Sequence, residues 1–77
     1  MFEKIREIIV DQLGVSEDEV TLTTSLKEEL GVDSLDLFEI IMQLEETFGV
    51  EIPSEDLVDA VTIEDVIKYL NSKGITE

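Results

Sequence analysis

The stretch DSLDLFEIIMQLEETFG, residues 33–49, decides the fold. Taken at about 100° per residue from Ser34, Leu37, Ile40, Ile41, Leu44 and Phe48 fall within a sector roughly 100° wide, the buried face of an amphipathic helix. A polar residue, Asp33 or Ser34, stands at its start as a cap, and Gly49 stands where a left-handed residue would stop it. The pattern predicts a helix from Asp33 or Ser34 to Phe48. Leu35, Phe38 and Met42, spaced i, i+3, i+7, occupy a second sector well away from the core centre and are expected to be partly exposed. Asp36, Glu39, Gln43 and Glu46 lie beside them and Glu45 lies on the other flank. The outer surface is then an apolar strip edged by carboxylates, an arrangement suited to docking a partner. The alternative is that a loop folds over Phe38 and Met42 and makes them ordinary core.

Working outward, the segment FEKIREIIVDQLG repeats apolar residues at steps of three and four, through Phe2, Ile5, Ile8, Ile9 and Leu13, until Gly14 ends it. It is the first helix. The connection that follows is about 20 residues long, which calls for structure of its own. Ser16 to Glu19, SEDE, reads as a capping box opening a short turn, and SLKEELG repeats the device with Ser25 capping, Glu28 reaching back and Gly31 stopping. Val15, Val20, Leu22, Leu26 and Leu30 are placed to pin this loop onto the core. After Pro53, SEDLVD predicts a short helix capped by Ser54. Thr62 and Asp65 then form a capping pair for a last helix, IEDVIKYL, whose buried stripe is Ile63, Val66, Ile67 and Leu70. The expected fold is all-α: a small helical bundle of three main helices plus one short helix, with a long loop between helices one and two.

The 77 residues fit one domain, 1–77, with a single small core. Hydrophobic residues make up 43%, enough for a globular core, yet 20 Asp and Glu stand against five Lys and Arg, for a net charge of -15. From Glu28 to Ile67 every charged residue is acidic. Such a chain repels nucleic acid and anionic lipid, so basic protein partners are expected and nucleic acid is not. Cysteine and histidine are both absent, which removes disulfides, thiolate nucleophiles, imidazole bases and the usual zinc ligands. No segment has the acidic spacing and central glycine of an EF-hand loop, so no metal site is expected. No apolar run reaches the length of a membrane span, and MFEKIREIIV has acids where a secretory signal would be uninterrupted, so a cytoplasmic protein with no membrane insertion is expected, with a monomer as the default.

Ser34 sits between two acids at the start of the central helix. As a helix cap it contributes about 1 kcal/mol. As a catalytic nucleophile it fails, because the chain has no histidine to activate it. As an acceptor of a phosphate-containing group it is well placed, since free N–H groups and the positive end of the helix dipole favour a phosphodiester.

These residues carry a family resemblance. GVDSLDLFEIIMQLEETFGVEIP, residues 31–53, resembles the signature region of acyl carrier proteins, and the likeness extends over essentially the whole chain, to the closing helix with Tyr69. The resemblance implies that Ser34 carries a 4'-phosphopantetheine arm, transferred from coenzyme A by a phosphopantetheinyl transferase that uses magnesium. The arm's thiol would hold acyl groups as thioesters. Asp33 and Asp36 would meet basic residues of the transferase and of the acyl transferases, synthases, reductases and dehydratases that such carriers visit. Leu35 and Met42 match exposed contact positions of the family's recognition helix, and Glu39 and Glu46 match its acidic positions; Phe38 and Glu45 join them from the two-stripe pattern. An acyl chain would slip between the helices, with Leu37, Leu44, Ile52, Leu57 and Ala60 as candidate lining. Leu37 and Phe38 replace the Thr or Ser and smaller aliphatic residue of the common fatty acid carriers, and LVDAV, residues 57–61, departs from the usual run, both of which bear on pocket size. The expected function is a non-catalytic carrier of acyl intermediates in fatty acid biosynthesis. The alternatives are a dedicated carrier for polyketide, peptide or cell-envelope acyl transfer, and an acidic interaction module in which Ser34 is only a cap.

Overall fold

Phe2, Ile5, Ile8, Ile9 and Leu13 wind into α1, Phe2–Leu13, in a computed structural model that describes residues 1–75. Gly14 closes α1 at φ 71°, a left-handed conformation that costs glycine nothing, and its N–H reaches back to the Val10 carbonyl. The chain then makes a single 3₁₀ turn, Glu17–Glu19, with Ser16 and Glu19 forming the expected capping box. The central helix α2, Ser34–Phe48, packs against α1. A one-turn helix α3, Ser54–Leu57, leads to α4, Ile63–Ser72. The all-α bundle of three longer helices and one short one is therefore the observed architecture.

One core unites the elements. Ile5 and Ile9 of α1, Leu44 of α2, Leu57 of α3 and Ile63 and Leu70 of α4 are fully buried together, with Val20, Leu26 and Val32 contributed by the long loop. Phe48, expected on the core face of α2, is half-buried beside it, with the Lys4 ammonium 5.9 Å from its ring centre.

The long loop is stitched to the start of α4. Leu26 donates its N–H to the Val61 carbonyl at 2.9 Å, while the Ile63 and Glu64 amides donate to the Thr24 and Leu22 carbonyls at 3.3 and 2.9 Å. Leu22 is used through its backbone, and this corrects the expectation that its side chain pins the loop: the side chain is 44% exposed. The pin is Thr24, a polar residue buried to 4% exposure. Its hydroxyl donates to the Glu19 carbonyl at 3.1 Å and accepts from the Thr21 N–H at 2.8 Å, so burial leaves none of these groups unpaired.

Two capping details also differ. Ser25 does cap, accepting from the Glu28 N–H at 3.1 Å, but Glu29 rather than Glu28 reaches back to the Ser25 N–H, at 2.8 Å. In α3 Pro53 takes the cap position, and Ser54, expected as the cap, is instead the first helical residue. Thr62 caps α4 as expected, and Asp65 returns the bond. The Asp65 carboxylate accepts from the Val61 and Thr62 amides at 2.9 and 3.2 Å, which holds its pKa below the usual carboxylate value.

Candidate functional site

The start of α2 is built by the turn before it. Val32 is buried and donates to the Leu26 carbonyl, which fixes the direction in which the chain enters the helix. Asp33 is the cap: its Oδ1 accepts from the Asp36 N–H at 2.8 Å, and the Asp36 carboxylate returns toward the Asp33 N–H at 3.5 Å. The sequence left Asp33 and Ser34 as equal candidates for this task. Asp33 performs it, so the reading of Ser34 as only a cap is corrected: Ser34 is the first helical residue, exposed, and its hydroxyl takes no hydrogen bond among the described residues. The Ser34 and Leu35 amides are likewise unpaired there, two of the donors that the first turn of every helix leaves over. A free hydroxyl beside two free N–H groups at the positive end of a 15-residue helix fits a phosphodiester on that hydroxyl.

The second stripe of α2 is uncovered. Leu35, Phe38 and Met42 are 66, 52 and 51% exposed, so the alternative in which the loop folds over Phe38 and Met42 is excluded. The carboxylates around them differ in their freedom. Glu46 is exposed, and Asp36 is half-buried in the capping box. Glu39 accepts from the Gln12 side-chain amide of α1 at 3.0 Å, which orients it without neutralising it. Glu45 turns the other way: it accepts from the Ile52 N–H at 2.8 Å and ties the α2–α3 connection to the end of α2. Gln12 was not singled out in the sequence, although a neutral polar residue at the border of α1's apolar stripe was the available signal.

Leu37, Leu44, Ile52 and Leu57 all lie in the core, with Leu44 wholly buried and Leu57 at 2% exposure, and Ala60 is half-buried at its margin. Ala60 also lines a surface groove of about 280 Å³ with Ser25, Lys27, Val58 and Val61. The four larger side chains are in contact with the shared core, so a guest among them requires helices to part.

The bundle thus presents the bare Ser34 hydroxyl at the start of α2, beside an exposed apolar strip edged with acids. A family model described as a phosphopantetheine attachment site matches residues 3–70, and the chain belongs to that family. It is an acyl-carrier-type domain, a non-catalytic carrier bearing covalently attached 4'-phosphopantetheine and serving a phosphopantetheinyl transferase and partner enzymes. No helix among the described residues is long and apolar enough to cross a membrane.

Proposed function

We propose that Ser34 is the attachment point and that the chain carries acyl intermediates of fatty acid biosynthesis, in the cytoplasm, as thioesters on the arm's thiol. The observation that carries the reading is the unpaired, exposed Ser34 hydroxyl at the first position of α2, with its capping duty taken by Asp33. In the modification the Ser34 oxygen forms a bond to the phosphorus next to the pantetheine, the diphosphate bond of coenzyme A breaks, and adenosine 3',5'-bisphosphate leaves. The hydroxyl proton goes to a base of the transferase, because this chain supplies none. Asp33 and Asp36 flank the serine and every charged residue from Glu28 to Ile67 is acidic, so the incoming diphosphate needs magnesium and the transferase's cations to approach.

Leu35, Phe38 and Met42 supply the apolar contact with visiting enzymes, and Asp33, Asp36, Glu39 and Glu46 steer basic patches onto them. Glu45 serves indirectly, by holding the end of α2 through the Ile52 amide. The fatty acid assignment rests on the likeness of residues 31–53 to carriers of that pathway. Phe38, an exposed aromatic where those carriers have a smaller residue, favours as second reading a dedicated carrier whose partners present a matching apolar pocket.

Intact mass after incubation with coenzyme A, magnesium and a phosphopantetheinyl transferase tests the attachment. The expected result is a gain of one arm, lost in Ser34→Ala with the helical circular dichroism unchanged. A gain that persists in Ser34→Ala, or none with several transferases, overturns it. Loading by acyl transferases of fatty acid and of secondary pathways then separates the two readings.

A further inference from the structure

The segment 53–60 is attached to the rest of the molecule in an unusual way. Its ends are fastened by backbone: the Ile52 N–H donates to Glu45 at 2.8 Å, and Val61 both donates to Asp65 at 2.9 Å and accepts from the Leu26 N–H at 2.9 Å. Between those ends, among the described residues, the backbone bonds only to itself, as in Asp56 N–H to the Pro53 carbonyl and Ala60 N–H to the Leu57 carbonyl. Three side chains join the segment to the bundle, Ala60 being half-buried at the margin of the core. Leu57 plugs into the core, and Asp56 accepts a short hydrogen bond from the Tyr69 hydroxyl of α4, 2.5 Å long. Val58 and Val61 face outward at 46 and 56% exposure, and α3 itself has a single turn, too short to persist without these attachments.

We infer that Asp56 and Tyr69 form a clasp that sets how often this strap lifts Leu57 out of the core. The strap is hinged at Ile52 and Val61, and the clasp lies one residue from the plug, so breaking it frees the plug without disturbing α1, α2 or the body of α4. Lys73, one turn beyond Tyr69, has its ammonium 5.5 Å from the ring centre and keeps the ring in place from the α4 side. Lifting the strap uncovers Leu57, Ile52 and Leu44, an apolar interior of the kind a tethered alkyl chain would enter. This last step rests on the carrier reading, whereas the clasp does not. Asp56 and Tyr69 are thus positioning residues that govern admission to the core.

Amide hydrogen exchange of the unmodified full chain tests the clasp directly. Tyr69→Phe and Asp56→Ala are expected to speed exchange of the 54–60 amides about tenfold, as loss of a hydrogen bond to a charged acceptor implies, with the Ile9 and Leu44 amides unchanged. Asp56→Asn keeps an oxygen that accepts from the phenol and is expected to fall between Asp56→Ala and the parent. No change in 54–60, or equal acceleration at Ile9 and Leu44, overturns the clasp, the latter because it marks a general loss of stability. The same variants, modified at Ser34 and loaded with an octanoyl thioester, are expected to hydrolyse several-fold faster or slower than the parent, since the clasp alters how the chain is shielded. An unchanged hydrolysis rate alongside faster exchange would overturn the gate while leaving the clasp. Failure of Ser34 to accept the arm at all, with the exchange result as expected, would sink the carrier reading and leave the clasp standing.

Discussion

At Ser34 the decisive fact is what its neighbour does. Asp33 takes the cap, so a residue that helix chemistry could have employed is left bare. Asp33→Asn keeps an accepting oxygen and removes a charge, and Asp33→Ala removes both. We expect thermal unfolding to place Asp33→Asn within a few tenths of a kcal/mol of the parent and Asp33→Ala about 1 kcal/mol below it. Modification of Ser34 should slow in both, because charge is lost in both. If Asp33→Asn is modified at the parental rate, the steering role of that carboxylate is wrong.

Tyr69 carries the clearest pH signature. Burial raises its pKa, and the bond to Asp56 raises it further, to about 12, with Lys73 over the ring face. A folded-state value above the ordinary phenol value of 10.0 means the bond's stabilisation is fully present below pH 10 and is lost as pH rises through about 12. Melting curves of the parent and Tyr69→Phe should therefore converge across that window. Asp65 has the opposite sign. Its value is lowered by the Val61 and Thr62 amides, so its stabilisation is present above the ordinary carboxylate value of 3.8 and fades as pH falls through the lowered one. The gap between the parent and Asp65→Asn should close on acidification, and a constant gap would show that the carboxylate's charge is not what those amides favour.

At the scale of the element, α1, α2 and α4 were legible because each is punctuated: an apolar stripe at helical spacing, a cap or a glycine at the end, and for α4 a reciprocal Thr62–Asp65 pair. The exposed strip of α2 was legible for the same reason, since angle alone separates Leu35, Phe38 and Met42 from the core face. What the sequence hid was the conduct of the loop. Hydropathy chooses Leu22 for the inward position, but beside the strand-like pairing of Ser25 with Thr62 it is Thr24 that is buried. The choice between Glu28 and Glu29 as partner of Ser25, and the turning of Glu45 toward Ile52, depend likewise on backbone paths set by distant contacts. Thr24→Val should cost about 1–3 kcal/mol, because the methyl group preserves shape while the Glu19 carbonyl and Thr21 amide lose their partner. Urea unfolding reads this directly, and a variant as stable as the parent would mean that water reaches those groups.

Across the whole molecule, charge is the dominant quantity. At -15 on 77 residues the folded state repels itself, and moderate salt should raise the melting temperature by screening that repulsion. A flat response from low to moderate salt would show that the acids are too well spread to matter. Replacing Glu39 and Glu46 with Lys should slow Ser34 modification more at low salt than at high, since steering by exposed charge is what salt mutes. Equal slowing at both would assign the loss to shape instead of charge.

Consider finally the run from Glu28 to Ile67 with no cation in it. A carboxylate already bonded to a lysine of its own chain would have to be pried loose at every encounter and re-paired at every departure. On the outer strip of α2 Glu46 is exposed and Glu39 is held by the neutral Gln12 amide, so that toll is small there, and visitors can arrive and leave in quick succession. Traffic among many enzymes would then be limited by how firmly each host grips, and haste would be a property of the vehicle.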